Sequence, residues 1–367
     1  MEVSQIDGIN LLTQYWYNYQ ESHHRVKYKY LFVGDVHGDL SQFILPLIDT
    51  GTITLNGQVT SVKQRYPELD IPVPEYTCNK CDSQIYYLGD LSDGYMFTRQ
   101  VLIMMVNVLR QCKNVHFCFG NHDMRYFGKL DVTKVDAWTF EEHFESLNLF
   151  VSSVSNLKLY HGKITGASDD FLFEYFRIIL ETYKELFKLG EVWFLVEDII
   201  CSHTILNEEG MKELEIDWEH LTAKDLVDSI NKAFKAKDKS YIGKNKIGWN
   251  RIDADRVYPK QIVGHSVGGY YKPLKDDVSI NPVPCSTYGE RLLHCKPTNG
   301  IYYFDVGASA CYSLDKISRP DYFYLDGSMH VSDADSLLLL WNKKTYLVTF
   351  KSKSNIKPDQ IIPMWYF

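Results

Sequence analysis

The sequence predicts an α/β fold with its functional residues gathered at the carboxyl ends of the strands. Four short apolar runs support this. KYKYLFVGDVHGDL, QIYYLGDLSDG, NVHFCFGNHD and KQIVGHSVGG each stop at a glycine followed at once by Asp, Asn or His. Helical stretches lie between them, among them SQFILPLIDTG and YMFTRQVLIMMVNVLRQ. A buried strand that ends in a polar loop presents side chains to solvent, and glycine lets the backbone turn there and leaves room for a ligand.

Further along, DDFLFEYFRIILETYKELFKL has apolar residues at helical spacing and predicts a helix from Asp169 to Leu189, stopped by Gly190. FLVEDIICSHTIL reads as a hairpin whose second strand delivers His203, and a charge-rich helical stretch follows from about Met211 to Lys239. Near the end, SLLLLWNKKTYLVTFKS reads as two strands around an Asn-Lys-Lys turn. The turn-rich segment at 52–84 is expected to be a loop or small hairpin near the site, and a second insertion is expected at 205–250. The whole of 1–367 is read as a single domain with these two insertions.

Of the 367 residues, 45% are apolar, 14% aromatic and 23% charged, which is enough to build a core and carries no bias toward disorder. The net charge of -8 opposes a general nucleic-acid binder, because the field of the whole chain repels polyanions. No window reaches the roughly 18 apolar residues of a membrane span, and MEVSQIDGINLLTQ lacks the pattern of a secretory signal. The expected protein is soluble, intracellular and cytoplasmic. Eight scattered cysteines suit a reducing compartment, with Cys112, Cys118 and Cys201 in apolar runs where a thiol packs as a small hydrophobe. Cys78 and Cys81 have the spacing of half a zinc knuckle, which Cys285 and Cys295 would have to complete.

Asp35, His37, Asp90, Asn121, His203 and His265 together form a set of oxygen and nitrogen donors suited to two borderline divalent ions. Asp35 and His37 can aim at one ion, while Asp90 bridges to a second that also takes Asn121, His203 and His265. Two ions about 3.5–4 Å apart clamp phosphate oxygens and hold a bridging hydroxide for in-line attack. His161, in LKLYHGK, competes with His203 for its place, and His116, in NVHFCF, reads as a packed strand histidine.

GDVHG, GDLSD, GNHD, SH and GH, in that order from Leu31 to Gly269, resemble the motifs of calcineurin-like metallophosphoesterases. The likeness is to the phosphoprotein phosphatase branch and to its bacterial and diadenosine-tetraphosphatase-like relatives; the segment YYFDVGASA is similar to the latter. The resemblance implies two packed mixed β-sheets flanked by helices, a four-layer α-β-β-α sandwich. It makes Asp35, His37 and Asp90 the ligands of one metal and Asp90, Asn121, His203 and His265 those of the other, with manganese first in mind and iron or zinc as alternatives. His122 becomes the general acid, oriented by Asp93, and Asn121 doubles as a phosphate contact.

The departures from the pattern bear on substrate. Gly94 stands where the phosphoprotein phosphatases place a phosphate-gripping arginine, so Arg125 and Arg251 become the candidate clamps, with Arg99 the weaker one. Asp123 replaces the usual glutamate and Thr204 the usual glycine. Phosphoprotein or a small phosphorylated molecule is the expected substrate. A dinucleoside polyphosphate or capped RNA end is the alternative, and a non-catalytic binding role on the same fold a further one.

Overall fold

The computed structural model describes residues 5–22, 30–38, 40–92, 97–124, 126, 158–160, 163–165, 168–197, 199–204, 211–212 and 216–236, and beyond these the backbone of five strands between 261 and 349. The chain opens with α1 (Gln5–Ser22) and runs through β1 (Tyr30–Val33), α2 (Leu40–Asp49), β2 (Ile53–Val62), β3 (Ile71–Cys78), β4 (Gln84–Tyr87), α3 (Thr98–Gln111), β5 (Val115–Phe117) and the single turn α4 (Asn121–Met124). There follow β6 (Lys158–Tyr160), β7 (Lys163–Thr165), α5 (Asp169–Leu189), β8 (Trp193–Val196), β9 (Ile199–Ser202) and α6 (Ala223–Lys235). The late strands are β10 (Gln261–Val267), β11 (Cys311–Ser313), β12 (Tyr322–Asp326), β13 (Leu337–Leu340) and β14 (Tyr346–Thr349).

Two four-stranded mixed sheets carry the fold, as the resemblance implied. In the first, with order β11-β1-β4-β5, the strands β1, β4 and β5 are parallel and β11 is antiparallel. The second has order β12-β10-β9-β8, with β10 parallel to both neighbours and β8 antiparallel to β9. Aromatic rings join the two: Tyr86 of β4 stacks on Phe32 at 5.3 Å and on His116 of β5 at 4.6 Å, and Phe194 of β8 meets both Tyr86 and His116 edge-on. His116 is therefore the packed strand histidine expected, and its Nε2 lies 2.9 Å from Gln84 Oε1.

Helices cover the sheets for legible reasons. In α5, Ser168 caps the start by accepting from the Phe171 N–H at 3.2 Å, and Tyr175, Ile179, Tyr183 and Leu186 line the buried face at helical spacing. Gly190 follows as predicted. Its close approach to Phe119, which a Cβ would meet at 2.9 Å, explains the residue better than any turn does. Leu226, Val227, Ile230 and Phe234 bury one face of α6, and Asn231 pins it to β8 by accepting from the Val192 and Trp193 N–H groups. Each fully buried Leu, Ile or Phe of this core contributes about 1.5–3 kcal/mol. The two late strands β13 and β14 pair antiparallel, as read from the Asn-Lys-Lys turn.

Two expectations, on Cys78 with Cys112 and on Arg99, need correction. The segment at 52–84 forms a long two-stranded hairpin, β2 with β3; its far end reaches the start of α3, where the Leu69 carbonyl accepts from Arg99, and its base lies beside the start of β4. Asn114 shows this, since its amide donates to Thr52 Oγ1 at 2.9 Å and to the Ser83 carbonyl at 2.8 Å. Cys78 and Cys112 are joined as a disulfide with Cα atoms 6.1 Å apart, so Cys112 is no free thiol and Cys78 is not available to a zinc knuckle. Cys81 instead donates to the Thr50 carbonyl at 3.1 Å, while Cys118 and Cys201 are buried thiols as read. Arg99 is 1% exposed, donates to the Leu69 carbonyl at 2.9 Å and lies over the Tyr175 ring, which removes it as a phosphate ligand. Among the described residues no helix is long and apolar enough to cross a membrane.

Candidate metal centre

The parallel strands β1 and β4 end side by side, and their loops interlock through the backbone. The Asp90 carbonyl accepts from the Val36 and His37 N–H groups at 3.0 and 2.6 Å, and the Leu91 carbonyl accepts from Gly38 at 2.8 Å. His37 and Asp90 both adopt left-handed backbone conformations, with φ of 48° and 47°, which is costly for residues with a Cβ and is held here by these bonds. Gly89 and Gly120 let the loops close. A Cβ on Gly89 would stand 2.6 Å from His203 Nδ1, and one on Gly120 would collide with the Asp90 carboxylate.

Asp35, His37, Asp90, Asn121 and His203 are each at most 3% exposed, and they converge. Asp90 Oδ2 is the meeting point: it lies 3.3 Å from His203 Nε2, 3.8 Å from His37 Nε2 and 4.0 Å from His122 Nε2. Asp35 joins from the other side, 3.6 Å from His37 Nε2 and 3.7 Å from His203 Nδ1. Among the described residues two groups result, His37 with Asp90 and His122, and Asp35 with Asp90 and His203, each with ligand atoms within 4.8 Å of one another. Asp90 belongs to both, whereas the sequence reading pairs Asp35 with His37, and His203 with Asn121 and His265.

The donor set fits divalent cations. His37 Nδ1 lies 3.0 Å from the Ser92 carbonyl and His203 Nδ1 lies 2.7 Å from the Leu88 carbonyl, so each ring commits an N–H outward and turns Nε2 into the cluster. At His203 that nitrogen faces Asn121 Oδ1 at 2.9 Å and Asp90 Oδ2 at 3.3 Å. Three lone pairs facing one another need a positive charge among them, either a proton or a metal ion. With a proton alone, and although burial opposes the charge, Asp90 and Asp35 push His203 up to about 10. The same imidazoles act in return, against the cost of burial, to hold Asp90 well below its ordinary value and Asp35 below its own. Among the described residues, Asn121 Nδ2 has no hydrogen-bond partner and is buried beside this cluster.

His122 is the most open member, with its side chain 17% exposed, and its backbone N–H donates to Asp90 Oδ1 at 2.8 Å. Its neighbour Asp123 points the other way, fully buried, accepting from the Leu91 N–H at 3.0 Å and the Gly120 N–H at 2.9 Å. Burial and then the Asp90 charge push Asp123 up to about 7, against the bonds that it accepts. Tyr183 of α5, which no motif marks, stands 2.6 Å from Asp123 Oδ1. The one signal for it in the sequence is its place on the buried face of a helix, where a hydroxyl needs a partner.

His265 stands on β10, two residues past Val263, which is opposite Ser202 of β9, the residue before His203; its side chain lies outside the described residues. Asp93, Gly94, Arg125, His161, Arg251, Cys285 and Cys295 also lie outside them.

Buried acids and imidazoles closed around a shared carboxylate, at the carboxyl ends of parallel strands in an α/β fold of two mixed sheets, form a site whose donors suit divalent cations. A model of the calcineurin-like phosphoesterase family matches residues 28–220, more than half of the chain, and the chain belongs to that family. No curated protein matches it. Among solved structures it is similar to a cold-active protein-tyrosine phosphatase of a psychrophile, Shewanella sp., at 13% identity over 89% of this chain and 81% of that one, with a TM-score of 0.44. It is similar too to a protein serine/threonine phosphatase from Saccharomyces cerevisiae, at 12% identity over 70% of this chain and 69% of that one, with a TM-score of 0.32.

Proposed function

We propose that the chain is a binuclear metal-dependent phosphomonoesterase acting on phosphoprotein or on a small phosphorylated molecule. The observation that carries this reading is the approach of three imidazoles to Asp90 Oδ2, with Asp35 closing the far side. Asp35, His37 and Asp90 would hold one ion, and Asp90, Asn121, His203 and His265 the other. Bound there, two divalent ions would supply the charge neutralisation and the activated water that the side chains lack.

The chain's own groups do the rest. Asp90 stays ionised despite its burial, because the surrounding rings favour its charged form. His37 and His203 are kept in one tautomer by backbone carbonyls, so neither has to reorient during turnover. His122, at the open rim and anchored through its own N–H, delivers the proton to the leaving oxygen, with Asp93 as its orienting partner. Arg125 and Arg251 take the phosphate oxygens in place of the arginine replaced by Gly94. Manganese is the first metal to test, with iron and zinc next. The whole chain is one domain in this reading, and the Cys78–Cys112 disulfide argues against the reducing cytoplasm that the scattered cysteines suggested.

The nucleotide alternative rests on Asp123, on the FDVGAS segment and on the arginine missing at Gly94. Of these Asp123 is the one among the described residues, and its carboxylate faces two backbone N–H groups and a buried phenol. Turnover of p-nitrophenyl phosphate with added Mn²⁺ tests the proposal. Asp90→Asn is expected to lower kcat by at least about a thousandfold with the thermal midpoint held within a few degrees; full turnover in that variant would sink the reading.

A further inference from the structure

One phenol on a helix remote from the motifs touches the frame of every described ligand loop but one. Tyr183 sits two turns before the end of α5 and is fully buried, with its ring stacked on Tyr126 at a centroid distance of 4.3 Å. Its hydroxyl lies 2.6 Å from Asp123 Oδ1 and 2.8 Å from Ser92 Oγ. A phenol has one proton, so donation to the carboxylate leaves the Ser92 hydroxyl to donate back.

What those two partners hold is the reason to single out Tyr183. Asp123 accepts from the N–H of Leu91, which follows Asp90, and from the N–H of Gly120, which precedes Asn121. One carboxylate thus ties the loop after β4 to the loop after β5, across the position where the two ligands meet. Ser92 supplies the carbonyl that lies 3.0 Å from His37 Nδ1, and so sets the ring of a third ligand. We propose that Tyr183 is a positioning residue for the metal centre: through Asp123 and Ser92 it fixes the separation of Asp90, Asn121 and His37. The proposal rests on the functional reading above and adds to it a residue that touches neither metal nor substrate.

In a fully buried setting such a hydrogen bond has no bulk water to replace it, so its loss is transmitted to the loops and not absorbed by solvent. Ligands displaced by a fraction of an ångström then bind metal less tightly. Calorimetric titration of the full chain with Mn²⁺, for wild type and Tyr183→Phe, is the direct measurement. The variant is expected to bind Mn²⁺ about tenfold more weakly. Its kcat on p-nitrophenyl phosphate at saturating metal should fall about tenfold, with KM within about twofold, since substrate contacts are untouched.

A variant that melts earlier yet binds Mn²⁺ within twofold of wild type would overturn the proposal, because that is the signature of packing alone. If Tyr183→Phe does not fold, Ser92→Ala decides in its place. It keeps the carbonyl at His37 and removes only the hydroxyl partner, so a severalfold weaker Mn²⁺ affinity supports the proposal and an unchanged one refutes it. A wild type that takes up no Mn²⁺ sinks both this inference and the functional reading, whereas wild-type uptake with an unaltered Tyr183→Phe sinks this inference alone.

Discussion

At the two poles of the parallel strands β1, β4 and β5, the ligand acids of one and Asp49 of the other respond to burial in opposite ways, while Asp123, behind the ligands, is pushed up as Asp49 is. At the carboxyl pole, Asp35 and Asp90 are sealed from water and stay charged because imidazoles surround them. At the amino pole, the acid that ends α2, Asp49, is 2% exposed, has among the described residues only the Tyr19 hydroxyl at 2.9 Å on one oxygen, and is pushed by burial from 3.8 up to about 7 despite that bond. Around it the fixings are neutral and numerous. Thr50 and Thr52 share a hydroxyl contact at 2.9 Å, Asn79 donates to the Gly51 carbonyl and to Thr54, Asn114 ties the starts of β4 and β5, and the Cys78–Cys112 disulfide closes the hairpin onto the end of α3. The difference teaches where each kind of burial belongs. A carboxylate kept ionised by cationic neighbours is prepared to hold a metal, and one left without them simply neutralises.

That contrast can be broken experimentally, and the sharpest attempt is at the carboxyl pole. His122→Ala is expected to lower kcat on p-nitrophenyl phosphate by about 10²–10⁴-fold with little change in stability, as fits a partly exposed acid at the rim. A fall in the thermal midpoint in place of the loss of turnover would make His122 a structural residue and erase the distinction between the poles.

At the amino pole the effect is on stability. Because the fold holds the Asp49 proton more tightly than the unfolded chain does, its contribution is present below about pH 4 and is lost as pH rises through about 7. The ceiling on that loss is on the order of 4 kcal/mol. Asp49→Asn removes the titration, so the urea midpoint of the variant is expected to vary less than that of wild type between pH 5 and 8. A parallel pH profile for the two proteins would contradict it.

The smallest effect expected is that of the crosslink. It closes a loop over a sequence separation of 34 residues, and Cys112→Ser or reduction should destabilise the chain by about 2–4 kcal/mol while Mn²⁺ affinity stays unchanged. Denaturant titration with and without reductant measures the first, and calorimetry the second. A matching loss of metal affinity would show that the two poles are coupled.

Much of the site was legible along the chain because strand ends carry their ligands with them. Gly-Asp at Gly89 and Asp90, and Gly-Asn at Gly120 and Asn121, need only a buried strand and a sharp turn to be presented, and both are written locally as an apolar run and a glycine. The helix from Asp169 to Leu189 and the hairpin leading to His203 were read for the same reason, since their periodicity is a property of neighbours in sequence.

What local pattern does not encode is which distant groups meet. Arg99 looked like a phosphate ligand because it follows a motif, and its helix turns it instead toward Tyr175 and the Leu69 carbonyl.

The sequence by itself determined the family, the α/β order of elements and the donors at each strand end, because those depend on residue type and on spacing of a few positions. Only the tertiary structure decided that Cys78 faces Cys112, that Asp123 braces two loops, and that Tyr183 stands behind the centre. The pairings of Cys78 with Cys112 and of Tyr183 with Asp123 and Ser92 span from 34 to 91 positions, and at such separations a contact is set by how sheets and helices pack rather than by any pattern along the chain.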